Sequence, residues 1–387
     1  MKSGPRAFVI VLDACGAGAL PDAEDYGDAG ANTLAHLAQA TGGLDLPTLE
    51  RLGLGNVLDL EGMPPSARPV AHGRLAPLGG GKDTTAGHWE LMGASAGAPP
   101  VYPNGFPAEV IDAFTAATGR GVLGNSPSEG LAAIAAHGDR HLETGALIVY
   151  TSQDSVLQVA AHTSVLSERD LHRHCAAVRE VLSGEHAVGR VIARPFEGEP
   201  GAFRRTAGRR DFGLPPGRTY LDELRERGVA VHAVGKVGQV FAGRGIEVEH
   251  PAPDNATAIA ATTDLIEALD QGFAFVNLID TDQVYGHRKD VAGFHAALRE
   301  IDAAVAQWAC ALRERDLLVL TADHGCDPAH AGTDHTREYV PLLALFGGHA
   351  GRRVHGPMAR VGASALAWLT GAHSALPGVP FVNGAAQ

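Results

Sequence analysis

Apolar and polar positions along this chain follow two alternating rhythms. Short runs rich in β-branched and aromatic residues read as buried strands at Phe8 to Leu12, Ala146 to Tyr150, Val229 to Val234, Phe273 to Ile279, Leu317 to Thr321 and Pro341 to Phe346. Between them, apolar residues recurring at helical spacing predict helices over Asn32 to Ala40, Glu168 to Leu182, Asp254 to Asp270, Val291 to Arg313 and Met358 to Leu369. Strands that alternate with helices in this way predict an α/β fold with a mostly parallel sheet between helices.

Two clusters of Gly and Pro interrupt the rhythm, Gly93 to Gly105 and Leu214 to Arg218. Such clusters commonly mark linkers. The reading is a core built from both ends of the chain, residues 1–97 and 217–387, with a smaller α/β cap, residues 98–216, inserted between them.

Composition narrows the function. With 44 acidic against 31 basic residues the formal charge is −13, which disfavours nucleic acid and anionic membranes as partners. The first apolar run stops at Asp13, too early for a signal peptide, and no run approaches the ~18 residues of a membrane span. A cytoplasmic location is expected, and oligomeric state is left open. Cys15, Cys175, Cys310 and Cys326 form no CxxC pair, so neither a disulfide framework nor a cysteine-based zinc knuckle is indicated.

The most informative pattern is that three buried-looking strands run into acid: FVIVL into Asp13, FVNLI into Asp280 and Asp282, and LLVLTA into Asp323. In open parallel sheets, ligand sites collect beyond the carboxyl ends of the strands. Carboxylates gathered there repel one another unless a proton or a cation neutralises them. Histidines follow closely, with His287 after Asp282, His324 beside Asp323, and His335 in the same segment. Three carboxylates and three imidazoles suffice for two divalent ions sharing a site, and a mixed Asp/His set without thiolate suits Mn, Zn or Fe better than Ca, which takes oxygen ligands. Asp280, Asp327, His330 and Asp334 compete on spacing alone, with Asp334 placed to orient a ligand histidine.

The segment GGGKDTTAGHWELMG, residues 79–93, supplies close backbone approach and two hydroxyls, Thr84 and Thr85. Beside a cation, a threonine hydroxyl can serve as nucleophile toward a phosphoryl group; otherwise the segment is a glycine-rich turn before a short helix. Lys82 and Lys236, two of only four lysines, lie beside glycine-rich turns, and six arginines fall between residues 190 and 210. Arginine forks match phosphate oxygens, and a short basic cluster in an acidic protein fits a small phosphorylated substrate better than a polynucleotide.

Six segments, VLDACGAGALPDAEDYGDAGANTLAH, GKDTTAGHWELMG, GRVIARPF, FRRTAGRRDF, DTDQVYGHRKDVAGF and TADHGCDPAHAGTDHTREYVPLL, carry a resemblance that spans nearly the whole chain. The chain resembles the phosphopentomutases of the alkaline phosphatase superfamily, relatives of the cofactor-independent phosphoglycerate mutases. The resemblance implies an alkaline-phosphatase-like core with an inserted cap. It implies two Mn ions, one held by Asp13, Asp323 and His324 and the other by Asp282, His287 and His335. It selects Thr84 as the phosphorylated nucleophile, and Ser152, Asp154, Arg194, Arg209 and Lys236 as contacts to a pentose phosphate. The implied reaction interconverts ribose 1-phosphate, or 2-deoxyribose 1-phosphate, and the 5-phosphate through a phosphothreonine and a 1,5-bisphosphate, with a sugar bisphosphate as activator. A phosphatase or phosphodiesterase on the same core, a phosphoglycerate mutase, and a non-catalytic metal-binding protein are the rival readings. The chain departs from the usual family pattern at Ala14, Cys15 and Gly208.

Overall fold

Every position of Arg6–Leu12 is buried, as expected of a strand with parallel neighbours on both edges and helices packed on the sheet. In the computed structural model, which describes residues 4–95, 100–152, 155–347 and 351–383, this strand is central to an eight-stranded sheet. The order across that sheet is Val248–His250, Val231–Val234, Gly272–Leu278, Arg6–Leu12, Asp316–Thr321, Val340–Leu345, Ala71–Ala76 and Gly356–Pro357. The first five strands run parallel, and the Val340–Leu345 strand is antiparallel to both its neighbours. The sheet is therefore mostly parallel.

Register fixes where the carboxyl ends fall. Leu12 pairs with Leu278, Val11 with Thr321, and Val276 with Val234, so these strands finish at one edge. One group of helices, Arg360–Thr370, Tyr220–Glu226 and Thr84–Leu91, packs on the strands; Val291–Ala311 packs with Thr33–Thr41, Pro47–Leu52 and Asn255–Ala268. At the opposite end of the central strand the fully buried Arg6 is neutralised by Asp316, its Nε and Nη2 donating to the carboxylate at 2.8 and 2.5 Å. A third guanidinium nitrogen, Nη1, donates to the Ile266 carbonyl at 2.6 Å.

The chain divides into two compact units, residues 1–97 with 216–387, and residues 98–215. The second unit has its own sheet, ordered Val122–Pro127, Leu147–Thr151, Val156–His162, Arg190–Glu197 and Arg204–Arg205, with Arg210–Gly213 also pairing Arg190–Glu197. Period-two alternation explains its layers. Leu147 and Val149 face a core shared with the helices Ala108–Thr118 and Glu168–Val181, while Ile148 and Tyr150 face Ala133 and Ile134 of the helix Gly130–Thr144.

The strands and helices expected from periodicity are present, with ends shifted by a few residues. The run at Val229 begins as strand only at Val231 because the Val229 amide donates to Leu224 and closes the preceding helix. Periodicity did not single out Val156–His162 or Arg190–Glu197 as strands. Gln158 and Arg194 interrupt their apolar faces, and these two side chains bond each other, Arg194 Nε and Nη2 donating to Gln158 Oε1 at 3.2 and 3.0 Å. Among the described residues no helix is long and apolar enough to cross a membrane.

Candidate metal centre

Asp13 follows the central strand directly and Asp323 lies two residues past Thr321, so the parallel register brings both to the same edge. Asp282 reaches that edge by a wide π-helical turn, Thr281–Gly286, and Thr281 Oγ1 ties the turn to the Asp13 carbonyl at 2.6 Å. His324 Nε2 lies 3.3 Å from Asp13 Oδ1 and 3.4 Å from Asp323 Oδ2. Asp282 Oδ1 lies 3.3 Å from His335 Nε2 and 3.5 Å from His287 Nε2. The rings form a row, with centroids 4.1 Å apart for His324 and His335 and 4.6 Å for His335 and His287.

The donor set fits divalent cations. Asp13 Oδ2 accepts from Asn277 Nδ2 at 2.9 Å, and Asp323 Oδ1 accepts from the amides of Ala14 and His324 at 3.2 and 3.1 Å. Among the described residues no hydrogen bond reaches the opposite oxygens, Asp13 Oδ1 and Asp323 Oδ2, or the buried Asp282 Oδ1 and His335 Nε2, and what approaches the three oxygens, at 3.2 to 3.5 Å, is imidazole nitrogen. Buried polar atoms rarely stay unpaired unless something else satisfies them. Two rings are also oriented as ligand histidines are, with Nδ1 against a backbone carbonyl: His324 on Gly325 at 3.1 Å and His287 on Thr333 at 2.6 Å. Among the described residues, three groups have ligand atoms mutually within 4.8 Å: Asp13, Asp323 and His324; Asp282, His324 and His335; and Asp282, His287 and Cys326.

The electrostatics show what the acids require. Burial opposes a charge on His324, yet Asp323, Asp13 and Asp282 outweigh it and push its pKa up to about 10. Burial raises the Asp323 carboxyl, but His324 and His88 pull it below its ordinary value. With protein groups alone, an imidazolium takes the compensating role that cations play in such carboxylate clusters.

Thr84 meets this cluster. It is the first residue of the helix Thr84–Leu91, whose cap is Asp83, the carboxylate accepting from the Ala86 amide at 3.0 Å. Its hydroxyl is buried, 3.2 Å from His324 Nε2, whereas Thr85 is exposed. Gly87 lets the helix approach, since a Cβ there would lie 2.2 Å from the Asp323 carbonyl oxygen.

The competing residues have other partners. Asp280 accepts from the Asn255 amide at 3.0 Å, and Asp327 binds His36 Nδ1 at 2.6 Å and the Asn32 amide at 2.8 Å. His330 Nε2 contacts the Gly27 carbonyl at 3.0 Å, and Asp334, largely exposed, accepts from the His335 amide at 2.8 Å. Lys82 pairs with Asp28 at 2.9 Å. Lys236 lies half-buried just past Val231–Val234, at the same edge as Asp13.

In the second unit, Arg194 and Arg209 share surroundings with Arg205 and Tyr150. Burial, then Arg209, depress the Arg194 pKa, while Arg209 is held up by its fork to Asp211 at 2.8 and 2.7 Å. Burial raises the Tyr150 hydroxyl against the pull of Arg194 and Arg205, and among the described residues that buried hydroxyl has no hydrogen-bond partner. Crowded guanidiniums beside an unpaired hydroxyl form a surface suited to an anion. Ser152 follows the strand Leu147–Thr151, and Asp154 lies outside the described residues. Gly208 is a tight position, since a Cβ there would meet the Glu168 carboxylate at 2.3 Å.

Sequence reasoning passed over several residues of this region. His88 Nδ1 lies 2.9 Å from the Thr84 carbonyl and 3.2 Å from Asp323 Oδ2. Asn277 is an internal strand residue in FVNLI, and that lone polar residue in an apolar run was the available signal. Cys326 gave none, because a single cysteine without a paired spacing carries no pattern.

A model of the metalloenzyme superfamily matches residues 5–371. The chain is 51% identical over 341 residues to a phosphopentomutase of Caldanaerobacter subterraneus subsp. tengcongensis, covering 87% of this chain and 86% of that protein. It is 50% identical over 341 residues to a phosphopentomutase of Acetivibrio thermocellus, covering 87% and 88%. In fold it is similar to phosphoglycerate mutase of Leishmania mexicana, with a TM-score of 0.50, 14% identity, and 97% of each chain covered.

Proposed function

Because the chain belongs to the phosphopentomutase family of the metalloenzyme superfamily, a family of isomerases, we propose that it moves a phosphoryl group between the 1- and 5-oxygens of ribose or 2-deoxyribose phosphate, with Thr84 as the carrier. The observation that carries this reading is the buried Thr84 hydroxyl at the start of a helix, 3.2 Å from His324 Nε2, which itself lies 3.3 and 3.4 Å from carboxylate oxygens of Asp13 and Asp323.

Asp13, Asp323 and His324 would hold one divalent cation, and Asp282, His287 and His335 the other, Mn in each case. These ions would neutralise the carboxylates and supply Lewis acidity toward phosphoryl oxygens. Thr84 resting as its phosphate ester places a dianion at a helix N-terminus, where backbone amides and the helix dipole favour negative charge.

The transfer is written in two steps. The sugar 5-oxygen attacks the phosphorus of phospho-Thr84 in line as its proton leaves, the bond to Thr84 Oγ1 breaks, and a pentose 1,5-bisphosphate forms. Thr84 Oγ1 then attacks the 1-phosphoryl group, and the 1-oxygen departs and takes up a proton. The product is the pentose 5-phosphate and the carrier is restored. A sugar bisphosphate phosphorylates a threonine that has lost its group.

In this reading the inserted segment, residues 98–216, binds the substrate. Arg194 and Arg209 recognise the sugar phosphate by their forked donors, with Ser152, Asp154 and Lys236 completing the contacts. A location in the cytoplasm fits such a substrate.

A phosphorus NMR time course of the Mn-loaded protein with ribose 1-phosphate and a trace of sugar bisphosphate tests the reading. Ribose 5-phosphate with little inorganic phosphate is the expected result. Inorganic phosphate alone would assign a hydrolase instead.

A further inference from the structure

The Asp282 end of the cluster carries a buried thiol that the mutase reading does not use. Cys326 is buried, and its Sγ lies with Asp282 and His287 in a group whose ligand atoms are all within 4.8 Å of one another. Asp282 Oδ1, the oxygen shared with the histidines, is buried and has no hydrogen-bond partner. Among the described residues, Sγ itself makes one hydrogen-bond contact, a long one of 3.9 Å to the Asp334 carbonyl. Gly286 keeps the space beside the thiol open, since a Cβ there would stand 3.1 Å from Sγ.

We propose that Asp282, His287 and Cys326 form a sulfur-containing binding mode for a softer divalent ion, such as Zn or Co, at the end of the cluster that otherwise takes a cation through oxygen and nitrogen alone. The inference rests on the two-cation reading of the cluster. Its physical basis is ligand softness. One carboxylate oxygen, one imidazole nitrogen and one thiolate, with a fourth position left for solvent or substrate, match a tetrahedral site for Zn or Co, while Mn favours the oxygen and nitrogen donors. Ligand atoms in such a site stand roughly 3.5 Å apart, so those of Asp282, His287 and Cys326, now within 4.8 Å of one another, would draw closer on binding. On binding, the metal–sulfur bond forms, the S–H bond breaks and its proton passes to solvent. The consequence is a metal choice written into this chain: two ions of different hardness would engage different partners of the same Asp282.

Cobalt titration of the full-length, metal-stripped protein reads this directly. The expected result is a sulfur-to-cobalt charge-transfer band in the near ultraviolet accompanying the visible d–d bands. Cys326→Ser should lose the near-ultraviolet band and keep the visible ones, and Cys15→Ser should keep both. Competition should show zinc held on the order of tenfold or more weakly, relative to manganese, in Cys326→Ser. Should that variant not fold, the wild-type protein loaded with cadmium-113 gives the same answer: a resonance shifted downfield into the range of sulfur ligation supports the site, and resonances only in the oxygen and nitrogen range overturn it. Cobalt bound with visible bands but no sulfur band in the wild type would overturn this inference alone, whereas no cobalt binding at all would overturn the two-cation reading with it.

Discussion

His88 Nδ1 sits 2.9 Å from the Thr84 carbonyl and 3.2 Å from Asp323 Oδ2, so one fully buried ring links the helix carrying the nucleophile candidate to an acid of the metal cluster. The ring thereby ties the first turn of the Thr84 helix to an acid of the cluster.

Thr84→Ala should reduce mutase activity to background with the fold intact, and Thr85→Ala should leave most of it, since Thr85 is exposed. Intact-mass measurement after incubation with a sugar bisphosphate should show one phosphoryl group on the wild type and on Thr85→Ala, and none on Thr84→Ala. A phosphorylated Thr84→Ala protein would remove Thr84 from its role.

If the proposed cations are bound, chelation should lower the unfolding temperature, because the crowded carboxylates of Asp13, Asp282 and Asp323 are then left to the imidazoles alone. A free metal concentration a hundredfold above the dissociation constant restores about 2.7 kcal/mol. Differential scanning calorimetry with and without Mn checks this, and Asp323→Asn should blunt the response. Identical transitions in both conditions would count against a resident cation.

Gly87→Ala should destabilise the protein by about 1–3 kcal/mol, the usual cost of overpacking. The added methyl would lie 2.2 Å from the Asp323 carbonyl oxygen, a backbone atom that cannot rotate away. Denaturant unfolding gives the stability, and metal titration should show weaker binding as the helix is pushed from the cluster.

Arg6→Met should cost about 3–5 kcal/mol, since it leaves the Asp316 carboxylate buried without its cation. The double variant Arg6→Met, Asp316→Leu should lose less than the sum of the single losses, because the stranded charge goes with its partner. A double-mutant cycle by urea unfolding decides; strict additivity would deny the coupling.

His141 predicts an acid-sensitive spot in the second unit. Its Nδ1 donates to the Ala146 carbonyl at 2.7 Å and its Nε2 accepts the His162 amide at 2.8 Å, which fixes a neutral ring, and burial lowers its pKa below the ordinary 6.5. A base with a depressed folded pKa contributes stability that is present above its unfolded pKa and is lost as pH falls from about 6.5 through the folded value. Protection of the His162 amide against hydrogen exchange should therefore fall below pH 6.5, and the drop should be smaller in His141→Gln. Unchanged protection down to pH 5 would refute the assignment.

The alternation of apolar runs with helical periods was enough to determine an α/β fold with a mostly parallel sheet, because strands buried on both faces must be apolar throughout and helices packed on them must be apolar on one side. The resemblance carried by motifs such as TADHGCDPAHAGTDHTREY was enough to place the chain in its family. That strand ends carry Asp13 and Asp323 was also legible, since a strand end is one point in the sequence. Which of Asp280 and Asp282 faces the cluster was open on spacing alone, and only the family resemblance selected Asp282. The two acids are separated by a single residue, and the π-helical turn that follows Asp280 sends one to Asn255 and the other to the histidines. Tertiary structure alone likewise decided that Cys326 stands beside Asp282 and His287, and that Tyr150 is buried among arginines. Periodicity records which face of an element is buried, and is silent about which groups from distant segments meet there, because that depends on strand register and turn geometry summed over the whole fold.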